Sequence, residues 1–320
     1  MIKAAIVGGG GFAAGELIRI LIHHPEVSLA YVMSESQAHK NVYETHQDLV
    51  GETGIIFTDK FDTNVDVVFL CKGHGQSIKF MKDNPIPKDV CIIDLSRDFR
   101  LNDGHRFTYG LPELNRDAIK ENNAIANPGC FATAIQLAIL PLAKAFKLQM
   151  DVHIQGITGA TGAGQAKLDT THFSWRNNNI SIYKAFKHQH LTEVIQTVKQ
   201  CQNSSSPEFN FVPMRGDFTR GILVSCYTDT DLSEDDLISL YHEYYAHEPF
   251  THVSDTNINL KQVVNTNKCL IHVEKHDDKA FIISAIDNLL KGASGQAVQN
   301  MNIRFGLNEQ TGLNLKAMAY

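Results

Sequence analysis

KAAIVGGGGFAAGELIRIL, residues 3–21, runs from an apolar segment through four consecutive glycines into a helical pattern. Lys3 to Gly9 has the character of a buried strand, and Ala14, Leu17, Ile18 and Leu21 then recur at helical spacing until His23-His24-Pro25 stops the helix. Gly8, Gly10, Gly11 and Gly15 therefore sit where a dinucleotide-binding fold turns from strand to helix. Without side chains in the way, the backbone leading through Phe12 and Ala13 can approach a pyrophosphate, whose charge is met by N–H groups at the helix N-terminus. A tight turn that binds nothing is the alternative. The spacing, GxxGxxxG, differs from the commonest NAD fingerprint.

Outward from this loop, Val27 to Met33 forms the next strand, and Val65 to Cys71 and Val90 to Leu95 are short β-branched runs of the kind buried in parallel sheets. Strands alternating with helices imply right-handed βαβ units, and so an α/β fold with a Rossmann-type, doubly wound parallel sheet. The second strand ends in Ser34-Glu35-Ser36. Ser34 and Ser36 could donate to a ribose 2′-phosphate, Glu35 would repel one if turned inward, and an exposed turn is the plain alternative. From about Met150 the pattern changes: ITGATGAG, the polar stretch Trp175 to Ile180 and the loop Ser204-Ser205-Ser206-Pro207 separate shorter elements, as in a second, α+β domain.

The 320 residues suit two domains, and 43% hydrophobic with 20% charged residues fits a globular chain with a sizeable core. A net charge of -6 provides no field to hold nucleic acid or an anionic membrane. The longest apolar stretch, after Cys130, is broken by Gln136 and Pro141 and is too short for a membrane span. The opening residues enter a strand rather than a cleavable leader, and six scattered cysteines without a CxxC pair argue against disulfides or a zinc knuckle. A cytoplasmic protein without a metal is expected.

Asn127-Pro128-Gly129-Cys130 precedes a helical stripe of Phe131, Ala134, Ile135, Ala138, Ile139 and Leu142, which places Cys130 at a helix start. Unpaired N–H groups and the helix dipole there favour the thiolate that a nucleophilic cysteine needs; packing as a small hydrophobe is the alternative. Cys71, Cys91, Cys226 and Cys269 lie in strand-like segments and read as packing residues; Cys201 lies at a helix end. Among 15 histidines, His190 in Lys187-His188-Gln189-His190 stands before Leu191, Val194, Ile195 and Val198, at a helix entry. That position disfavours imidazolium and leaves the ring available as a base.

Together these segments resemble the N-acetyl-γ-glutamyl-phosphate reductases of arginine biosynthesis. The resemblance spans nearly the whole chain and is carried by VGGGGFAAGEL at the start, IDLSRDFRL near 95, YGLPELNR near 110, NPGCFAT around Cys130, TGATGAGQ near 160 and IDNLLKGASGQAVQNMN near 290. It implies a nucleotide domain of residues 1–129 completed by 288–320. It also implies a catalytic and oligomerisation domain, 130–287, of the glyceraldehyde-3-phosphate/aspartate-semialdehyde dehydrogenase type, forming a homodimer or homotetramer. NADP (NADPH) is the implied cofactor. Cys130 is then the thioester-forming nucleophile, and His190, the second histidine of the family's HxH motif, the acid/base. Gly162, Ala163 and Gly164 resemble a second cofactor loop, and Asn288 a residue reaching the nicotinamide amide. Asn127, Tyr183 and Arg220 are the implied substrate-binding residues, with a structural ion pair the alternative for Arg220.

Gln189 replaces the arginine usual in HxH and Thr192 the usual proline before Glu193. Glu35 replaces a polar or basic residue beside the ribose, and Lys72-Gly73 stands where a proline tends to precede His74-Gly75. The implied reaction takes a small-molecule acyl phosphate to an aldehyde plus phosphate: Cys130 expels phosphate, hydride from NADPH reduces the thioester, and His190 assists collapse to aldehyde. Rivals are an N-succinyl-glutamyl, aspartyl or aminoadipyl phosphate substrate, or a non-catalytic dinucleotide-sensing regulator on the same fold.

Overall fold

A computed structural model describes residues 1–202 and 207–318; the serine run 204–206 lies outside the described residues. The chain divides into two compact units, Met1–Pro128 with Ala293–Asn314, and Gly129–Gly292 with the residues from Leu315 onward.

The first unit is built on β1 (Ile2–Val7), β2 (Val27–Met33), β3 (Val67–Leu70), β4 (Cys91–Asp94), β5 (Thr108–Tyr109) and β6 (Ala124–Ala126), all parallel, in the order β2-β1-β3-β4-β6-β5. Every residue of β3 and β4 is buried, as befits strands covered on both faces. Helices α1 (Phe12–Leu21), α2 (Val42–Thr45), α3 (Gln76–Asp83) and α4 (Pro112–Glu121) connect them. Gly8 has a φ of 89°, and a Cβ there would lie 2.8 Å from the Cys71 carbonyl oxygen, so only glycine lets β1 turn this close to the end of β3.

The motif IDLSRDFRL ties this sheet to its surroundings. Asp94, buried, accepts hydrogen bonds from Ser77 Oγ (2.6 Å) and Ser96 Oγ (2.7 Å), while Asp98 accepts the N–H groups of Gly75 and Ser77 and so caps α3. Arg100 donates to the Asn127 carbonyl at 2.9 Å.

The second unit contains α5 (Cys130–Lys144), α6 (Phe173–Arg176), α7 (Leu191–Gln202) and α8 (Glu234–Tyr245). Its mixed sheet comprises β7 (Val152–Thr158), β8 (Ser181–Ile182), β9 (Phe209–Arg215), β10 (Ile222–Asp229), β11 (Thr251–Val253), β12 (Cys269–His276) and β13 (Lys279–Ile286), ordered β11-β12-β13-β10-β7-β9-β8. The apolar stripe expected on α5 is instead an apolar cylinder: every residue from Phe131 to Ala143 is buried, because sheet strands lie on one side and α7 and α8 on others. The last helix among the described residues, α9 (Gly295–Arg304), packs on α1, α4 and β4 in the first unit. Its amide-rich sequence is buried because the amides are used: Asn300 donates to the Gly110 carbonyl at 2.9 Å, and Asn302 shares a 3.1 Å hydrogen bond with His24.

Pro141 lies inside α5 and cannot donate to the Leu137 carbonyl one turn earlier. Tyr245 of α8 fills that role, its hydroxyl donating to Leu137 O at 2.6 Å, while Tyr241 donates to Ala138 O at 2.6 Å. Tyr245→Phe leaves the buried carbonyl without this donor and is expected to lower stability by about 1–3 kcal/mol, measured as a shift in the urea midpoint at unchanged slope; no shift would show that the proline gap needs no donor.

Candidate active site

Cys130 is the first residue of α5, and the helix start has no side-chain cap and no acidic residue in its first turn. It is half-buried, unlike Cys91, Cys201, Cys226 and Cys269, which are buried. Burial pushes the Cys91 and Cys226 thiols up to about 12 and raises those of Cys71 and Cys201 as well. Those four are held as thiols, whereas Cys130 has the helix dipole behind it.

The turn after β13 lies directly against this cysteine. A Cβ on Gly292 would come within 2.8 Å of Cys130 Cβ, so any larger residue would displace the cysteine. Asp287, fully buried, organises that turn by accepting the N–H groups of Leu289 (2.8 Å) and Asn265 (2.7 Å). Arg220 spends its guanidinium on the same carboxylate, Nε at 3.1 Å and Nη2 at 3.0 Å from Asp287 Oδ2.

His190 immediately precedes α7 and is buried. Glu193, one turn into α7 and also buried, links it to the cysteine loop: one carboxylate oxygen accepts the Gly129 N–H at 2.9 Å and the other lies 4.0 Å from His190 Nε2. His188 forms the other support. Its ring stands edge-on to His190 (4.7 Å between centroids), Phe131 (5.5 Å), Phe211 (5.5 Å) and Tyr183 (5.8 Å), and its Nδ1 accepts the His190 N–H at 3.3 Å. Burial, with Lys184 and Arg215 nearby, pushes the His188 ring down to about 4, so it is neutral near pH 7. Gln189 accepts from Lys184 Nζ at 3.2 Å, and Thr192 Oγ1 donates to the Gln189 carbonyl at 2.8 Å, so both departures in this motif are absorbed locally. Lys184 and Phe186 have φ of 48° and 59°, backbone strain of the kind found where a loop is held for a purpose.

Tyr183 faces this group. Its hydroxyl is pushed up to about 12, first by burial and then by the charge of Cys130, with Arg215 opposing. The Arg215 guanidinium lies 4.7 Å from the Tyr183 ring centre, and its buried Nε–H has no hydrogen-bond partner among the described residues. The structure thus assembles Cys130, His190 and Tyr183 and adds Glu193, His188 and Arg215, which the sequence reading did not select. Glu193 had a legible signal, an acid three residues after the histidine at a helix start; Arg215 had none.

The other expected site residues are engaged as follows. Asn288 bridges two segments, Oδ1 accepting the Gly221 N–H at 2.7 Å and Nδ2 donating to Thr161 at 3.0 Å, which braces the Gly162-Ala163-Gly164 turn. In the first unit, Asn127 donates to the Ala293 carbonyl at 3.0 Å and accepts from Asn300 at 3.1 Å. The glycine loop fits a dinucleotide: Gly11 starts α1 without a side-chain cap, and a Cβ on Gly11 would meet nothing within 4 Å. On Gly10 it would point towards Ser34 Oγ at 3.7 Å, the residue that follows β2.

Two family profiles match the chain, described as the semialdehyde dehydrogenase NAD binding domain over residues 3–122 and the semialdehyde dehydrogenase dimerisation domain over residues 130–288. N-acetyl-gamma-glutamyl-phosphate reductases of Christiangramia forsetii, Bacteroides thetaiotaomicron and Phocaeicola vulgatus are 56%, 55% and 54% identical, the first over 99% and the others over 100% of both chains. Among solved structures, a probable aspartate-semialdehyde dehydrogenase from Pseudomonas aeruginosa aligns with a TM-score of 0.75 at 12% identity, covering 96% of this chain and 99% of that one. Aspartate semialdehyde dehydrogenase II from Vibrio cholerae aligns at 0.74 and 17%, covering 96% and 98%. At such identities these two establish the fold alone.

The neutral His188 makes acid stability testable. Its folded-state value of about 4 lies below the ordinary 6.5, so the unfolded chain binds the extra proton first. The stabilisation is complete above pH 6.5 and is lost as pH falls towards 4, by at most about 3 kcal/mol. Urea titrations should show the wild type weakening across that window and His188→Asn weakening less; equal slopes would contradict the buried neutral ring.

Proposed function

Since the chain belongs to the N-acetyl-γ-glutamyl-phosphate reductase family, we propose that it reduces an N-acyl-γ-glutamyl phosphate to the corresponding 5-semialdehyde and phosphate, in arginine biosynthesis, with Cys130 as nucleophile and NADPH as reductant. The observation that carries this reading is the placement of half-buried Cys130, alone among the six cysteines, as the first residue of a helix. A cytosolic homo-oligomer, dimer or tetramer, belongs to the same reading.

The Cys130 thiolate attacks the γ-carbonyl carbon; a C–S bond forms, the C–O bond to phosphate breaks, and phosphate leaves with the bonding pair. Arg215, with its unpaired Nε–H beside Tyr183, supplies a cation for the anionic substrate. NADPH, when bound, would supply hydride to the thioester carbon; the C–S bond then breaks as the C=O double bond re-forms, and sulfur leaves as the Cys130 thiolate. His190 carries the proton for the oxygen that becomes the aldehyde, and Glu193 keeps its ring turned towards the cysteine loop. Gly8, Gly10, Gly11, Phe12, Ala13 and Gly15 would hold the pyrophosphate on the α1 N-terminus, with Ser34 and Ser36 next to the ribose.

Cys130→Ser is expected to abolish phosphate-dependent oxidation of N-acetylglutamate semialdehyde, a loss of at least about 10³-fold, while nucleotide binding followed by fluorescence persists. The same assay with N-succinylglutamate semialdehyde identifies the acyl group, and wild-type turnover by the serine variant would overturn the reading.

A further inference from the structure

Glu35 and Lys72 stand 37 residues apart, yet they meet in one ion pair, Nζ to Oε1 3.1 Å. The two partners are not equivalent. Lys72 is 19% exposed and its ammonium lies 5.0 Å from the centre of the Phe80 ring, whereas Glu35 is 70% exposed at the start of a single 3₁₀ turn. Lysine is the anchored member and glutamate the one free to swing.

The pair spans the rim of the glycine loop. Lys72 follows the end of β3, and its backbone nitrogen would lie 3.1 Å from a Cβ on Gly8. Glu35 follows β2 and buried Ser34, whose hydroxyl faces the space above Gly10. In an open parallel sheet the dinucleotide lies beyond the carboxyl ends of the strands, and the end of β2 is where the ribose 2′ substituent is read. A free Glu35 would accept from a 2′-hydroxyl and repel a 2′-phosphate. Held on Lys72, it does neither.

We propose that Lys72 is the cation that reads the 2′-phosphate of NADP, and that Glu35 is its resident counter-ion, displaced when the phosphate arrives. An exposed lysine–glutamate pair is weak, so the exchange costs little, whereas a dianionic phosphate is a stronger partner for the ammonium. The pairing also accounts for an acid beside the ribose of an NADP enzyme, since Lys72 cancels its charge. The assignment rests on the nucleotide reading given above.

The test is calorimetric binding of adenosine 2′,5′-bisphosphate and adenosine 5′-monophosphate to the full chain, two probes that differ only in the 2′-phosphate. Lys72→Ala should weaken the bisphosphate about tenfold or more and leave the monophosphate within about twofold, while Lys72→Arg keeps the wild-type preference. Glu35→Gln should tighten the bisphosphate, and in the Lys72→Ala background should recover part of the loss. The proposal falls if Lys72→Ala leaves the ratio of the two affinities unchanged, or if Glu35→Gln weakens the bisphosphate as Lys72→Ala does, the behaviour of a structural brace. Wild-type protein that binds neither nucleotide would overturn the nucleotide reading as well.

Discussion

The hydrogen bond from the Gly129 N–H to the buried Glu193 carboxylate joins the Cys130 loop to the helix that His190 precedes. It fixes the residue before the nucleophile, and the other oxygen of the same carboxylate stands 4.0 Å from the His190 ring. A carboxylate this deep is costly unless its lone pairs are used, and here its partners are the cysteine loop and the histidine. Gly292 closes the arrangement from the opposite segment, admitting no side chain against Cys130. Cys130 and His190, the proposed nucleophile and proton carrier, are thereby set by three segments distant in sequence.

The polar groups beside the Gly292 turn brace one another. Asp287 is satisfied by Arg220 and by backbone N–H groups, so Arg220 braces the turn that carries Gly292. Asn288 braces the adjacent glycine turn in the same way. Arg215 lies above Tyr183, its buried Nε–H without a hydrogen-bond partner among the described residues. Arg220 is already paired with Asp287, which favours Arg215 for the anion of the proposed substrate.

What the sequence disclosed was what short-range rules govern. The glycine turn after β1, Cys130 at a helix start and His190 at a helix entry all follow from apolar spacing and a neighbouring glycine or proline, and each appears where expected. The enclosure of α5 was not legible, since an apolar stripe and an apolar cylinder differ only in what packs around them. Nor was the role of Glu193, the supporting His188 ring, or the meeting of Lys72 with Glu35, because each depends on residues brought together by folding. Motif resemblance named Asn127 and Asn288 as contacts for small molecules, but it carries no information about which backbone groups already occupy an amide.

The central claim is that carbon passes through sulfur at residue 130, and it is tested most directly by mixing the protein with N-acyl-γ-glutamyl phosphate in the absence of any nicotinamide. The account predicts release of about one equivalent of phosphate per active chain and, by peptide mass spectrometry, a hydroxylamine-labile acyl group on Cys130. Full reductive turnover on later addition of NADPH, with no acyl group ever found on that cysteine, would contradict it.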